Sequence, residues 1–314
     1  MRGRNSSKYY RKSSYKKRKL RNILIISAIC LVVLFLLFVI FGNRLNKKID
    51  EERAGRDKAQ TTAVPQANTA GYAIEAYFVD ISSGADVSAQ VKELSSLGVK
   101  SVSLKLTDAN GNLLIKSELA RSLGYQSSSD SLADLSGVVS RATYYGMFTS
   151  AVLDLGCISE KDAKQRAVRL AYEASLAVEI AEKGIGDVIV RASGADASHT
   201  ELLIDFARSV KSINDTVVLG VALPESFFYH ESSAEDIASL AECFDIIGLD
   251  ISTTPKDYKN ELEYIERVFS ESNLKYYVLR YNMRVLLPKT AAEFDDALKV
   301  VLQENSIQNW QKIS

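Results

Sequence analysis

Short apolar runs alternate with longer amphipathic ones along residues 71–314. The runs at Ile74–Asp80 (IEAYFVD), Ser101–Leu106 (SVSLKL), Phe148–Asp154 (FTSAVLD), Asp187–Arg191 (DVIVR), Val217–Leu223 (VVLGVAL), Phe244–Asp250 (FDIIGLD) and Lys275–Arg280 (KYYVLR) are short and rich in Val, Ile or Tyr. Buried parallel strands read this way. Between them, helical stretches are expected at Ser88–Leu97, Leu132–Tyr145, Ser159–Lys183, Thr200–Ser212, Ala234–Cys243, Lys259–Ser270 and Ala291–Glu304. Gly98 and Gly146 close the first two, and Pro288-Lys-Thr opens the last. Such alternation implies a parallel sheet with right-handed crossovers. Seven strands and a weaker eighth at Ile307–Trp310, in a region close to the usual barrel length, favour a closed (β/α)8 TIM-barrel-like domain over an open sheet. Asp108-Ala-Asn-Gly111 is a tight-turn signature, Asn112–Ile115 returns as a small hairpin, and the Ser-rich segment 116–131 reads as a long loop.

The amino-terminal part has a different pattern. Ile23–Phe41 is an apolar run without a charge. As a helix it spans about 28 Å, close to the hydrocarbon thickness of a bilayer. It exceeds the apolar core of a signal peptide and lacks a small-residue cleavage site after it, which favours an uncleaved anchor. The expected order is a basic cytoplasmic tail (1–21), a transmembrane helix (22–42), a stalk and linker (43–70, ending in AQTTAVPQANTA) and one extracytoplasmic domain (71–314).

Charge sharpens this order. The chain holds 39 basic and 39 acidic residues, a formal charge of zero. Residues 1–21 carry ten Lys/Arg and no acid, whereas residues 59–314 carry 23 Lys/Arg against 35 Asp/Glu. The positive flank places the amino terminus in the cytoplasm, and the tail rests on anionic lipid. The acid excess beyond the span excludes nucleic acid as a partner of the domain. The expected partners are membrane lipid through 22–42 and polysaccharide or peptidoglycan through the domain.

In such barrels, chemistry sits at the carboxyl ends of the strands. Those ends carry Asp80, Lys105 with Asp108, Asp154, Arg191, Glu225, Asp250, and Arg280 with Tyr281. Glycoside hydrolysis needs one carboxylic acid for the leaving oxygen and one carboxylate as nucleophile or base. Asp154, Glu225 and Asp250 are the candidates for that work. Asp80, Lys105, Asp108, Arg191, Arg280 and Tyr281 are candidates for holding the substrate, and Tyr77, Phe227, Phe228 and Tyr229 for stacking or packing. Equally, Asp at loop starts caps turns, and Lys105 and Arg191 can neutralise the acids as ion pairs. His199 and His230 show no metal spacing, Gly184-Ile-Gly186 is no dinucleotide loop, and neither a phosphate loop nor a G-x-S-x-G elbow occurs. No metal and no cofactor is expected. Cys157 and Cys243 fall at opposite ends of the barrel, too far apart for a disulfide.

Leu94-Ser-Ser-Leu-Gly98-Val-Lys-Ser-Val-Ser-Leu104, followed by Lys105-Leu-Thr-Asp108-Ala-Asn-Gly111, resembles an uncharacterised bacterial family of glycoside-hydrolase-like TIM barrels. Ala181-Glu-Lys-Gly184-Ile-Gly-Asp187-Val-Ile-Val-Arg191 and Phe244-Asp245-Ile-Ile-Gly248 are similar to its fourth- and sixth-strand segments. The resemblance implies a barrel acting on cell-wall or other extracellular polysaccharide. Two positions depart from the family. Lys105 stands where the family has the acid of an Asp-x-Lys pair, with Thr107 at the lysine, and Arg191 stands where its fourth strand ends in Asp. Two readings follow: a membrane-anchored glycoside-hydrolase-like domain, or an inactive barrel that binds glycan or scaffolds an envelope complex.

Overall fold

A computed structural model describes residues 74–82, 84–108, 111–125, 132–252, 261–270, 272–288 and 295–313. The expected tail, transmembrane helix and linker lie outside them. Among the described residues no helix is long and apolar enough to cross a membrane.

Eight strands form one closed parallel barrel in sequence order: β1 (Glu75–Val79), β2 (Ser101–Lys105), β3 (Phe148–Asp154), β4 (Asp187–Arg191), β5 (Leu219–Pro224), β6 (Ile246–Asp250), β7 (Arg284–Leu287) and β8 (Trp310–Lys312). The helices are α1 (Val87–Ser96), α2 (Glu118–Ser122), α3 (Leu135–Tyr144), α4 (Ala163–Glu182), α5 (Thr200–Ile213), α6 (Ser233–Ala241), α7 (Glu261–Ser270), α8 (Ser272–Arg280) and α9 (Asp295–Glu304). Local chemistry sets several boundaries. Asp86, Ser117, Asp134 and Asp162 accept backbone N–H bonds at the starts of α1 to α4. Gly98 and Gly146 take the left-handed conformation just beyond α1 and α3, at φ 79° and 68°.

Six expected strands and the weak eighth are present, with ends shifted by up to three residues. The seventh is displaced. Lys275–Arg280 lies within α8, and the strand is Arg284–Leu287. The segment KYYVLR has the apolar content of a strand, but Leu274 and Val278 recur at helical spacing and are buried. The expected loop 116–131 contains the short helix α2. The small hairpin is present, with an antiparallel bridge between Thr107 and Leu113.

The strand period of two sorts the lumen into layers. Val152, Ile189, Ala222, Leu286 and Ile313 form an apolar plug separate from the larger core under the helices. Two residues earlier on β3, β4, β7 and β8 lie Ser150, Asp187, Arg284 and Gln311, a buried polar layer. There Arg284 Nη1 donates to Asp187 Oδ2 at 2.7 Å, and Ser150 Oγ donates to Gln311 Oε1 at 3.1 Å. Two residues after the plug, on β3 and β4, come Asp154 and Arg191. The charged rim therefore stands on a dry floor, which stands on a polar base.

Candidate functional site

The rim centres on Arg191 at the end of β4. In register beside it, at the end of β3, is Asp154. Arg191 Nε donates to Asp154 Oδ1 at 2.5 Å and lies 3.6 Å from Asp250 Oδ2 at the end of β6. The Arg191 Nη1 donates to Ser252 Oγ at 3.2 Å, and that hydroxyl donates to Asp250 Oδ1 at 2.5 Å. Ser252 N also donates to Asp250 Oδ1, at 3.0 Å. On the other side, Thr107 Oγ1 donates to Asp154 Oδ2 at 2.6 Å. Both aspartates are thus held by one guanidinium and by a hydroxyl each. Their side chains are 20% and 7% exposed, so the network is only thinly wetted. Charge-assisted bonds in such a place are stronger than those between neutral groups.

Glu225 follows β5 in a short 3-10 turn, Glu225–Tyr229. It accepts two phenols, Tyr229 and Tyr264, each at 3.0 Å. Burial, then the Glu225 carboxylate, pushes the Tyr264 hydroxyl far above its ordinary range, so Tyr264 stays a donor. Pro224, just before Glu225, stands in register with Asp250. This places Glu225 on the Asp250 side of the rim.

Lys105 ends β2, in register with Val152, and is half-buried. Burial and then the Arg191 charge hold its ammonium pKa below the usual lysine range, against the pull of Asp154, Asp250 and Asp108.

Asp80 and Asp108 are turn builders. Asp80 Oδ1 accepts from Ser82 N at 2.8 Å. The Asp108 carboxylate accepts both Asn112 N and Asn112 Nδ2, at 2.8 and 2.9 Å. The expected placement of Arg280 and Tyr281 at a strand's carboxyl end fails with the displaced strand. Arg280 ends α8 and Tyr281 begins the turn into the amino end of β7. The Arg280 guanidinium lies over the rings of Tyr276 and Tyr281. Of the candidate stacking aromatics, Phe227 and Phe228 are buried in the core and Tyr77 packs edge-on against Trp310, whereas Tyr229 is 49% exposed.

Three site residues escaped the sequence reading: Thr107 as a ligand of Asp154, Ser252, and Tyr264. An Asp-x-Ser spacing after a strand is a signal for the second, because Asp binds the backbone two residues on. Tyr264 sits mid-helix in α7, and only the fold brings it to Glu225.

Cys157 is no spare nucleophile. It is buried in the turn after β3, and desolvation followed by the Glu173 carboxylate raises its thiol pKa far out of reach. Glu173 itself, buried in α4, accepts the backbone N–H groups of Gly156 and Cys157 and pins that turn. Cys157 and Cys243 are both free thiols. Among the described residues, no cluster of three His, Cys, Asp or Glu side chains is poised to hold a metal.

No protein-family model matches the chain, and no curated protein matches it. Solved structures similar to it include D-psicose 3-epimerase from Clostridium cellulolyticum H10, at 10% identity and a TM-score of 0.43, covering 76% of this chain and 84% of that one. The beta-1,4-D-mannanase from Cryptopygus antarcticus is similar at 8% identity and 0.45, covering 75% and 83%. The Bacillus cereus spore cortex-lytic enzyme SleL is similar at 10% identity and 0.43, covering 76% and 70%. At these identities and scores, none assigns the chain a family or an activity. The barrel rests on its own strand order.

Proposed function

We propose that the chain is tethered to a membrane by residues 22–42, displays its barrel on the outer side, and retains polysaccharide at the strand-end rim without cleaving it. The observation that carries this reading is Arg191 between Asp154 and Asp250. Since both aspartates approach one Nε, the two contacting oxygens are no more than about 6 Å apart, a limit that leaves room for a retaining glycosidase pair. The guanidinium between them cancels that use. Each carboxylate is ion-paired, and a hydrolase needs one of the two protonated to give a proton to the leaving oxygen. Glu225, bonded by two phenols, is likewise arranged as an acceptor. What remains is a polar surface of carboxylates, a lysine, hydroxyls and one exposed aromatic ring, Tyr229. Sugar hydroxyls, which both donate and accept, fit it.

The test is sedimentation of the full detergent-solubilised chain with insoluble cell-wall polysaccharides, paired with a reducing-sugar assay. Binding without sugar release is expected. Release by the wild type, or no binding to any polysaccharide in the set, overturns the reading. Tyr229→Ala is expected to weaken binding about tenfold, the loss of one stacking contact worth roughly 1.4 kcal/mol.

A further inference from the structure

The chain between β2 and α3 builds a second feature on the outer wall of the barrel. Ser117 Oγ donates to Glu179 Oε2 of α4 at 2.6 Å, which fastens α2 to that helix. Gly124 then turns the chain at φ 75°, and Tyr125 N donates to Ala120 O at 2.8 Å. The Tyr125 ring lands on Tyr172 of α4, with ring centroids 4.3 Å apart and planes 23° from parallel. Tyr172 is buried, whereas Tyr125 is 46% exposed. One face of the outer ring is therefore backed, and much of the rest is open.

Tyr125 opens on a cavity of about 540 Å3 between the end of α2 and the first turns of α4. Val168, itself exposed, adds apolar lining to it, Glu160 and Asp162 add two acids, and Lys164 and Arg169 add two bases. Gln165 completes the wall. The wall is already tied down. Asp162 Oδ1 accepts Gln165 N at 2.8 Å, Glu160 Oε1 accepts Asp162 N at 3.2 Å, and Arg169 Nε donates to Glu173 Oε1 at 2.9 Å. The Lys164 ammonium and the Gln165 amide make no hydrogen bond or ion pair among the described residues, so both are at the disposal of a ligand.

We propose that this cavity is a second carbohydrate site, outside the ring of strands, which seats one uncharged pyranose unit against Tyr125. The site presupposes that the barrel retains polysaccharide, and it adds a second point of attachment. A pyranose has an apolar C–H face and an edge of hydroxyls. The face matches the backed Tyr125 ring with Val168, and the edge matches carboxylates, an amide and an ammonium. Two acids and two bases balance, so the lining does not select a charged ligand. Walls that are hydrogen-bonded beforehand lose little freedom on binding. The cavity also lies at the same end of the barrel as the rim. Strand β3 ends at Asp154 and the cavity begins at Glu160, so their backbone positions are no more than about 22 Å apart. A polysaccharide that engages both sites is held more tightly than by either alone.

The experiment sediments the full detergent-solubilised chain with insoluble cell-wall polysaccharides, comparing the wild type with Tyr125→Ala, Tyr125→Phe, Gln165→Ala and Tyr229→Ala. Thermal melting confirms that each variant folds, and Gln165→Ala probes the cavity without touching the tyrosine stack. Tyr125→Ala is expected to weaken retention about tenfold and Gln165→Ala severalfold, whereas Tyr125→Phe keeps the ring and stays within about twofold of the wild type. Tyr229→Ala reports on the rim. Wild-type binding by both Tyr125→Ala and Gln165→Ala, with weaker binding by Tyr229→Ala, overturns the second site and leaves the rim reading standing. Loss at Tyr125 with none at Tyr229 supports the second site and counts against the rim. A wild type that sediments with no polysaccharide overturns both.

Discussion

At the residue scale, Arg191 is asked to do more than any other side chain in the barrel. It neutralises two aspartates from non-adjacent strands, β3 and β6, in a site only 14% exposed on the arginine side. Removing it leaves two carboxylates facing each other with little water to screen them. Arg191→Met is expected to cost about 2–4 kcal/mol by urea denaturation, because an unpaired charge left in such a site is costly. Lys105 predicts the opposite sign. Its folded-state pKa lies below its unfolded one, so between those two values the unfolded chain binds more protons, and stability rises with pH through that alkaline window. At neutral pH the charged lysine carries a penalty that Lys105→Met removes. The variant is expected to match or exceed the wild type in stability at pH 7, with the difference shrinking as pH approaches 10.5. Melting temperatures of the pair across pH 7–10.5 check this.

At the element scale, two helix ends turn through the left-handed region without a glycine. Asn282 follows α8 at φ 47°, and Ser306 follows α9 at φ 59°. Both lie in the left-handed region, where a serine is strained more than an asparagine. Ser306→Gly is expected to raise stability by about 0.5–1 kcal/mol and Asn282→Gly by less, read as shifts in melting temperature. Gly220 on β5 is the reverse case. A Cβ there would stand 2.4 Å from Ile189 Cδ1 and 3.0 Å from Ile246 Cβ. Gly220→Ala is expected to cost about 1–3 kcal/mol by overpacking the lumen.

At the scale of the whole molecule, the buried polar base ties early strands to late ones. Asp187 and Arg284 come from β4 and β7, are 2% and 5% exposed at the side chain, and share Ser150 from β3, while Arg284 also donates to Gln311 from β8. Among the described residues, Arg284 Nε and Gln311 Nε2 find no partner. Asp187→Ala is expected to cost about 3–5 kcal/mol in equilibrium denaturation, since it strands a buried guanidinium. The double change Asp187→Leu with Arg284→Met is expected to cost less than the single one, because it removes both charges together.

The alternation of apolar runs determined the parallel strand–helix order, and the barrel length of the region argued for closure. Periodicity and glycine stops are local, and a reader of residues has access to both. The same dependence explains the displaced seventh strand. The end of α8 is turned by Asn282 rather than glycine, so nothing in the composition separates KYYVLR from a strand, and Arg280 and Tyr281 went to the wrong end with it. Asp154, Arg191 and Asp250 were legible as strand-end residues because position along a strand fixes which end of the barrel they reach. Their pairing was not, since it depends on register between strands far apart in sequence and on side-chain reach across the lumen. Tertiary structure alone decided that one guanidinium occupies the space between the two aspartates and that Tyr264 meets Glu225. These are contacts between distant residues, and the physical reason they escape the sequence is that closure of the barrel creates them.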